Sequence, residues 1–335
     1  MADNVNSHYF HAEAHALTGH LVLPFKEEIK KQAFVRLEGR LADLSDEERA
    51  QRNYFSQHAK NFRLEGIISY AAAHTQVSGH ASEKHKGASV TLATSVVEDL
   101  NVLNVVTADR VVAQISTTHF PGEYAPEVTF LGTHFENLRI ARHRAEPYLR
   151  LDLAGARPGG KTAMHLDQGT GFMNAVEAQY KRLKARLEAL GEDARKKMRL
   201  SDSDDSVSKK YHGLGLKYGD IKAQAAAAQE EDRKTGKGKC DGITCSLVEN
   251  VEIMNIDAKA ADGTPAPIPP PAKSFGHVIH IPDFGNVFLA ELTVNHNSFH
   301  LTMIRLELGC IAGGGAGVGT GGELTAETRR RGESV

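Results

Sequence analysis

The segment GARPGGKT, from Gly155 to Thr162, has the spacing of a phosphate-binding loop, G-x-x-x-x-G-K-[ST]. In such a loop the backbone N–H groups surround the phosphates, the lysine contacts the terminal phosphate oxygens and the threonine hydroxyl binds Mg²⁺. Gly155, Gly160, Lys161 and Thr162 would then form a nucleotide site. The motif works only where it opens a helix whose N-terminus faces the phosphate, and the following residues, AMHLDQGTG, would break a helix early. A glycine-rich connector is therefore the favoured interpretation, and a nucleotide site is the alternative.

Histidine is abundant, with 17 residues in the chain, and this raises the question of a metal site. His11, Glu13 and His15 fall on one face of the first predicted strand. Neighbours two positions apart in a strand are about 6.6 Å apart, so Glu13 and one histidine could share an ion, whereas His11 and His15, about 13 Å apart, could not. Histidines scattered over sheet surfaces and turns are the favoured interpretation. We assign no metal ligand, catalytic residue or cofactor from the sequence.

Composition limits the class of protein. The chain has 335 residues, 41% apolar and 24% charged, which is typical of a soluble globular protein of one or two domains. Its 40 Lys+Arg and 42 Asp+Glu give a formal net charge of −2. Nucleic-acid binding calls for a basic face, so we expect no nucleic-acid partner.

Several features indicate a cytoplasmic protein. No apolar run reaches the roughly 18 residues of a spanning helix, so no membrane insertion is expected. The first residues lack the basic and apolar regions of a secretory signal. The cysteines, Cys240, Cys245 and Cys310, are odd in number and too few for a disulfide scaffold, which favours reduced structural thiols. A surface location stays open.

Strand patterns dominate the chain and predict a mainly β fold, an antiparallel β-sandwich or barrel-like sheets. Residues 1–155 form a β-rich region, because segments with period-two alternation are separated by Gly, Pro, Asn and Asp. A short helix is expected near 45–59, where Ser45 and Glu48 have capping-box spacing.

The second half begins with an insertion at 156–240, made of a loop, an amphipathic helix and a polar connector. Within 172–190 the apolar stripe is spaced alternately three and four apart, at Met173, Val176, Tyr180, Leu183, Leu187 and Leu190. This indicates a helix lying on its own sheet or, alternatively, a coiled-coil seam. Residues 241–310 form a second β-rich region, with a bulge expected at Met303–Ile304, where the apolar pattern changes parity. The Gly-rich segment 311–335 has little apolar surface and is expected to be disordered unless an assembly orders it.

Two stretches share a pattern of apolar, Thr, Ala, Asp and Asn residues. The first is Val106-Thr107-Ala108-Asp109 with Val111 and Ala113; the second is Thr133, Phe135, Asn137 and Leu138. On these residues the chain resembles a group of uncharacterised bacterial proteins, and it is loosely similar to β-rich proteins of the choice-of-anchor P type. The resemblance implies a β-rich fold and carries no activity or site residue with it.

The first functional expectation is a non-enzymatic structural or scaffold protein that self-associates into a homo-oligomer or larger assembly. Long apolar strands support this expectation, because the sheets that they form leave open edges, and an open edge can pair with a second copy of the chain. A ligand- or metal-binding β module is the alternative, given the abundance of histidine. A nucleotide-binding enzyme that uses Lys161 and Thr162 comes third.

Overall fold

The computed structural model describes residues 8–40, 54–123, 125–156, 170–198, 200, 243–254, 272–295, 298–309 and 313–324. The described strands and helices, in chain order, are β1 Tyr9–Leu23, β2 Glu27–Gln32, β3 Val35–Arg40, β4 Tyr54–Leu64, β5 Ile68–Ala81, β6 Ser89–Val102, β7 Val106–His119, β8 Glu127–Thr129, β9 His134–Glu136, β10 Arg139–Ile140, β11 His143–Leu149, α1 Thr170–Glu188, α2 Glu192–Lys197, β12 Ile243–Ser246, β13 Val248–Met254, β14 Lys273–Ser274, β15 Val278–Ile281, β16 Gly285–Asn295, β17 Ser298–Leu308 and β18 Gly313–Leu324.

These strands form two sheets in which every pairing is antiparallel. Sheet A has the order β14-β15-β16-β17-β18-β1-β2, with β12 paired to β16 and β3 paired to β1. Sheet B has the order β13-β11-β10-β7-β6-β5-β4, with β8 and β9 paired to β7. In the described part of the chain neither sheet closes on itself, so the prediction of a mainly β, antiparallel sandwich is confirmed.

The hydrophobic core lies between the two sheets. Strands β1, β17 and β18 of sheet A face β5, β6 and β7 of sheet B, and one continuous cluster of buried apolar side chains joins the sheets with α1. A smaller cluster around Phe10 fills the space between β1, β3, β5 and β6. Alternation explains this arrangement, because every second residue of a strand points to the same face.

Helix α1 packs on the core, as the predicted stripe required. Val176, Leu183 and Leu187 are buried, and Phe172, which the pattern did not include, is buried as well. Gln179 fixes the helix to the chain where it passes from β12 of sheet A to β13 of sheet B. Its amide nitrogen donates to the Ser246 carbonyl at 2.9 Å, and its amide oxygen accepts from the Ser246 N–H at 2.9 Å.

Two segments differ from expectation. The predicted helix near 45–59 is wrong at its end, because residues from Tyr54 onwards form β4; residues 45–53 lie outside the described part. Both faces of β4 are largely exposed, so its sequence shows no apolar alternation. The Gly-rich segment is not disordered over its first part. Gly313–Leu324 forms β18, in the middle of sheet A between β17 and β1, while residues 325–335 lie outside the described part.

In β17 the side chains that point into the core change from odd to even positions between Met303 and Ile304, where a bulge was expected. The inward residues of β17 are Phe299, Leu301 and Met303, then Ile304, Leu306 and Leu308. The pairing register of β17 with β16 and with β18 is the same on both sides of this point, so no extra residue is inserted. The change is made instead by left-handed residues on the two flanking strands, Ala290 (φ 47°) and Gly319 (φ 61°). We call this row, which reaches Ala16 of β1, the kink of sheet A.

Candidate functional site

Strand β18 forms the floor of a trough on the outer face of sheet A. Its outward positions in the strand register are Gly315, Gly317, Thr320 and Gly322. A Cβ placed on Gly317 would lie 3.5 Å from Cγ2 of Thr302 on the outer face. Because glycine has no side chain, the outward side chains of the flanking strands β1 and β17 rise above β18 and form two walls. Two strand spacings put these walls about 9.6 Å apart.

The walls carry hydrogen-bonding side chains. From β1 they are His15, Thr18 and His20, with Lys31 from β2, and from β17 they are His300, Thr302, Arg305 and Glu307. The groove has a volume of about 740 Å³, and Val22 and Leu23 form an apolar border at its end. This is enough space for a small-molecule ligand, since such sites measure roughly 300–1,000 Å³.

His15 is one of the buried polar residues of the trough, 5% exposed. Its Nε2 is enclosed and has no hydrogen-bond partner among the described residues. Burial, with Lys31 and His300 nearby, lowers the pKa of His15 to about 4, so the ring is neutral at neutral pH. His300 keeps part of its surface exposed, but desolvation of its ring lowers its pKa too. This end of the trough therefore presents neutral imidazoles.

The cations of the trough are paired. Lys31 Nζ lies 3.0 Å from Oε2 of Glu13. Arg305 is almost buried and binds two carboxylates, with Nε 2.5 Å from Glu291 and Nη1 2.5 Å from Glu307. Its guanidinium also lies over the ring of Phe288, 3.5 Å from the centroid. Charge-assisted bonds of this kind fix the Arg305 side chain as part of the wall.

The kink of sheet A positions His15. Next to the kink the His15 carbonyl accepts a hydrogen bond from Ser95 Oγ of sheet B at 3.0 Å. Thr320 and Thr302 lie beside His15 in the same row of the sheet. The backbone of His15 is therefore held by a bond to the opposite sheet as well as by its own strand.

The structure places the residues of the phosphate-loop motif as follows. Gly155 lies in a turn with φ 66°, after a further turn that follows β11. Gly160, Lys161 and Thr162 lie outside the described residues. The sheet that precedes the motif is antiparallel, as expected.

His11, Glu13 and His15 do lie on one face of β1, alternating with the buried Phe10, Ala12 and Ala14. Only His15 lines the trough, and the carboxylate of Glu13 is bound to Lys31. Among the residues described, no group of three or more His, Cys, Asp or Glu side chains is placed to hold a metal ion.

Sequence reasoning missed the trough because it treated GGGAGVGTGG as a tail. A strand normally needs β-branched or aromatic residues, and glycine weakens it. The available signal was the alternation of Ala316 and Val318 with glycine, which has the period of a strand.

Comparison with known protein families places most of the chain in one of them. The family described as "Domain of unknown function (DUF8256)" matches residues 8–295. No curated protein and no solved structure matches the chain. The helices that the structure describes include none with the length and apolarity needed to cross a membrane.

Proposed function

We propose that this chain, which belongs to the family described as domain of unknown function (DUF8256), binds an uncharged, polyhydroxylated ligand of the carbohydrate class in the trough. The observation that carries the proposal is a groove of about 740 Å³ whose floor is largely glycine and whose walls carry neutral hydrogen-bonding side chains, among them Thr18, Thr302 and His300.

The charges of the trough support an uncharged ligand. Lys31 is paired with Glu13, and Arg305 is paired with Glu291 and Glu307. An anionic ligand would have to compete with these carboxylates. Neutral imidazoles and threonine hydroxyls both donate and accept hydrogen bonds, which matches the hydroxyl groups of a sugar.

The shape of the trough supports a linear ligand. The floor runs along β18 from Gly315 to Thr320, five residue steps, which span about 17 Å at the usual strand rise. Both walls continue along this length, so an extended chain of sugar units would contact donors and acceptors on both sides.

The test fills the trough without disturbing the fold. A Cβ at Gly317 would meet only ordinary contacts, the nearest at 3.5 Å, so Gly317→Val projects two methyl groups into the trough. We expect a panel of linear neutral oligosaccharides, built from glucose, galactose, mannose or N-acetylglucosamine, to contain a ligand detectable by titration calorimetry. We expect Gly317→Val to weaken that binding at least tenfold, and added salt to leave it unchanged.

The matched control is Thr94→Val on the outer face of sheet B, which should bind as the wild type does. If no neutral oligosaccharide binds, or if Gly317→Val binds as tightly as the wild type, the proposal is wrong. Binding of anionic saccharides alone, weakened by salt, would also contradict it.

Self-association is the second candidate. Among the described strands β4 pairs only with β5, and its first residues Tyr54 and Phe55 are 51% and 38% exposed. These aromatics would favour edge pairing with a second copy, whereas Lys60 and Arg63 on the same strand are residues that protect sheet edges. Light scattering at high concentration tests it: we expect a dimer that Tyr54→Lys dissociates, and a monomer of 36.4 kDa would exclude it.

A further inference from the structure

The outer face of sheet B carries two directly opposed imidazoles. His58 of β4 and His74 of β5 are partners in the strand register. Their rings are stacked, with centroids 4.3 Å apart and planes inclined by 16°. They lie on the other sheet from the trough, so this pair is independent of the proposed function.

We propose that His58 and His74 together bind one divalent transition-metal ion of the type that prefers imidazole, Cu²⁺, Ni²⁺ or Zn²⁺. One nitrogen of each ring is the ligand, and water fills the remaining positions. Within the described part of the chain no third metal-ligating side chain is grouped with them, so the site is open and exchangeable.

The geometry of the pair fits two adjacent coordination positions. Metal–nitrogen bonds of about 2.0–2.1 Å at a right angle put the two nitrogens about 2.9 Å apart. Each lone pair lies in its ring plane, and the planes are now inclined by 16° with centroids 4.3 Å apart. Binding therefore requires each side chain to turn by roughly 40°, so that the planes open towards a right angle and one edge of each ring meets the ion. Direct cross-strand partners have Cβ atoms about 5 Å apart, which keeps both rings at the site before the ion arrives.

The surroundings leave room for the ion and its water. The pair lines a groove of about 500 Å³ whose floor includes the small residues Ala59, Ala72 and Ala73. Burial, with His58 as a neighbour, lowers the pKa of His74, so this ring has a free lone pair at neutral pH.

The charged groups at the same groove are Lys60, Glu98 and Arg110, with His134 on its far side. Arg110 is bound to Glu98 at 2.8 Å and to Glu136 at 3.4 Å, which compensates its charge. Lys60 is the remaining cation, and it lies two residues along β4 from His58. We therefore expect moderate rather than tight affinity.

The experiment uses Cu²⁺ as the probe, on the full chain at pH 7.5. The chain has 17 histidines, so the site is identified by difference between variants. We expect titration calorimetry to show one site that is lost, or weakened at least tenfold, in both His58→Asn and His74→Asn. The matched control is His134→Asn, which removes a histidine from the same groove and should leave that site unchanged.

Electron paramagnetic resonance reports directly which atoms bind the ion. At one equivalent of Cu²⁺ the wild-type spectrum should show coupling to two imidazole nitrogens, and each variant should lose it. A wild-type spectrum without two imidazole nitrogens overturns the proposal, as does equal affinity in wild type and variants. Circular dichroism without metal verifies that the variants are folded.

Discussion

At the scale of single residues, the bond between Ser95 and the His15 carbonyl links the two sheets at the kink of sheet A. Ser95→Ala removes this bond to the buried backbone of His15, so we expect the free energy of unfolding to fall by about 1 kcal/mol. Thr94→Ala, on the outward face of the same strand, is the comparison and should change it by less than about 0.5 kcal/mol. Urea unfolding measures both, and equal losses in the two variants would contradict this account.

His15 also shows what sequence can and cannot reveal about a site. The alternation His11, Glu13, His15 placed all three residues on one face of a strand, and the structure confirms it. The pattern did not show which of the three residues lines the trough. His15 is set apart by its partner Thr320 on the next strand, more than 300 positions away in sequence, and by Ser95 of the opposite sheet.

At the scale of elements, the glycines of β18 differ in how much space each one has for a side chain. A Cβ on Gly314 would lie 2.2 Å from the His20 carbonyl oxygen, at φ 140°, whereas a Cβ on Gly317 has no neighbour closer than 3.5 Å. We expect Gly314→Ala to lower the free energy of unfolding by about 1–3 kcal/mol or more, because the clash is with backbone. Gly317→Ala should be neutral or stabilising by up to about 1 kcal/mol.

Thermal unfolding measures the melting temperatures of Gly314→Ala and Gly317→Ala, which make the same chemical change at two positions of one strand. Similar melting temperatures for both would contradict the close approach of β1 and β18 at Gly314.

At the kink of sheet A, the sequence predicts that the inward-facing positions of β17 change, but it does not predict which backbone positions produce the change. Met303 and Ile304 both face inward, and the apolar pattern reveals this in the sequence. The left-handed positions that accomplish it are Ala290 and Gly319, on other strands, and an alanine carries no signal for φ 47°. In sheet B, Asn61 of β4 and Asp99 of β6 lie on either side of Ala71 of β5 and also have positive φ, 54° and 52°, and both residue types tolerate this conformation.

At the scale of the whole molecule, buried histidines make the fold sensitive to acid. Burial lowers the pKa of both His15 and His277 to about 4 from the ordinary 6.5. Between these values the unfolded chain takes up protons that the folded chain does not, so the free energy of unfolding falls as the pH drops from about 6.5 to 4. The full effect is at most roughly 3 kcal/mol for each histidine.

Urea unfolding at pH 7.5, 6 and 5 measures this loss, and His15→Gln should reduce its size. A free energy of unfolding that stays constant over this range would contradict the burial of these rings.

The place of β18 has a consequence for how the chain is made. Sheet A needs β1, from residues 9–23, and β17, from residues 298–308, to be joined by residues 313–324. While the ribosome is still synthesising β18, the neighbouring edges of β1 and β17 have no partner between them. Sheet A can therefore reach its complete hydrogen-bonded form only after residue 324 has left the exit tunnel, and until then those two edges are open to pairing with other chains.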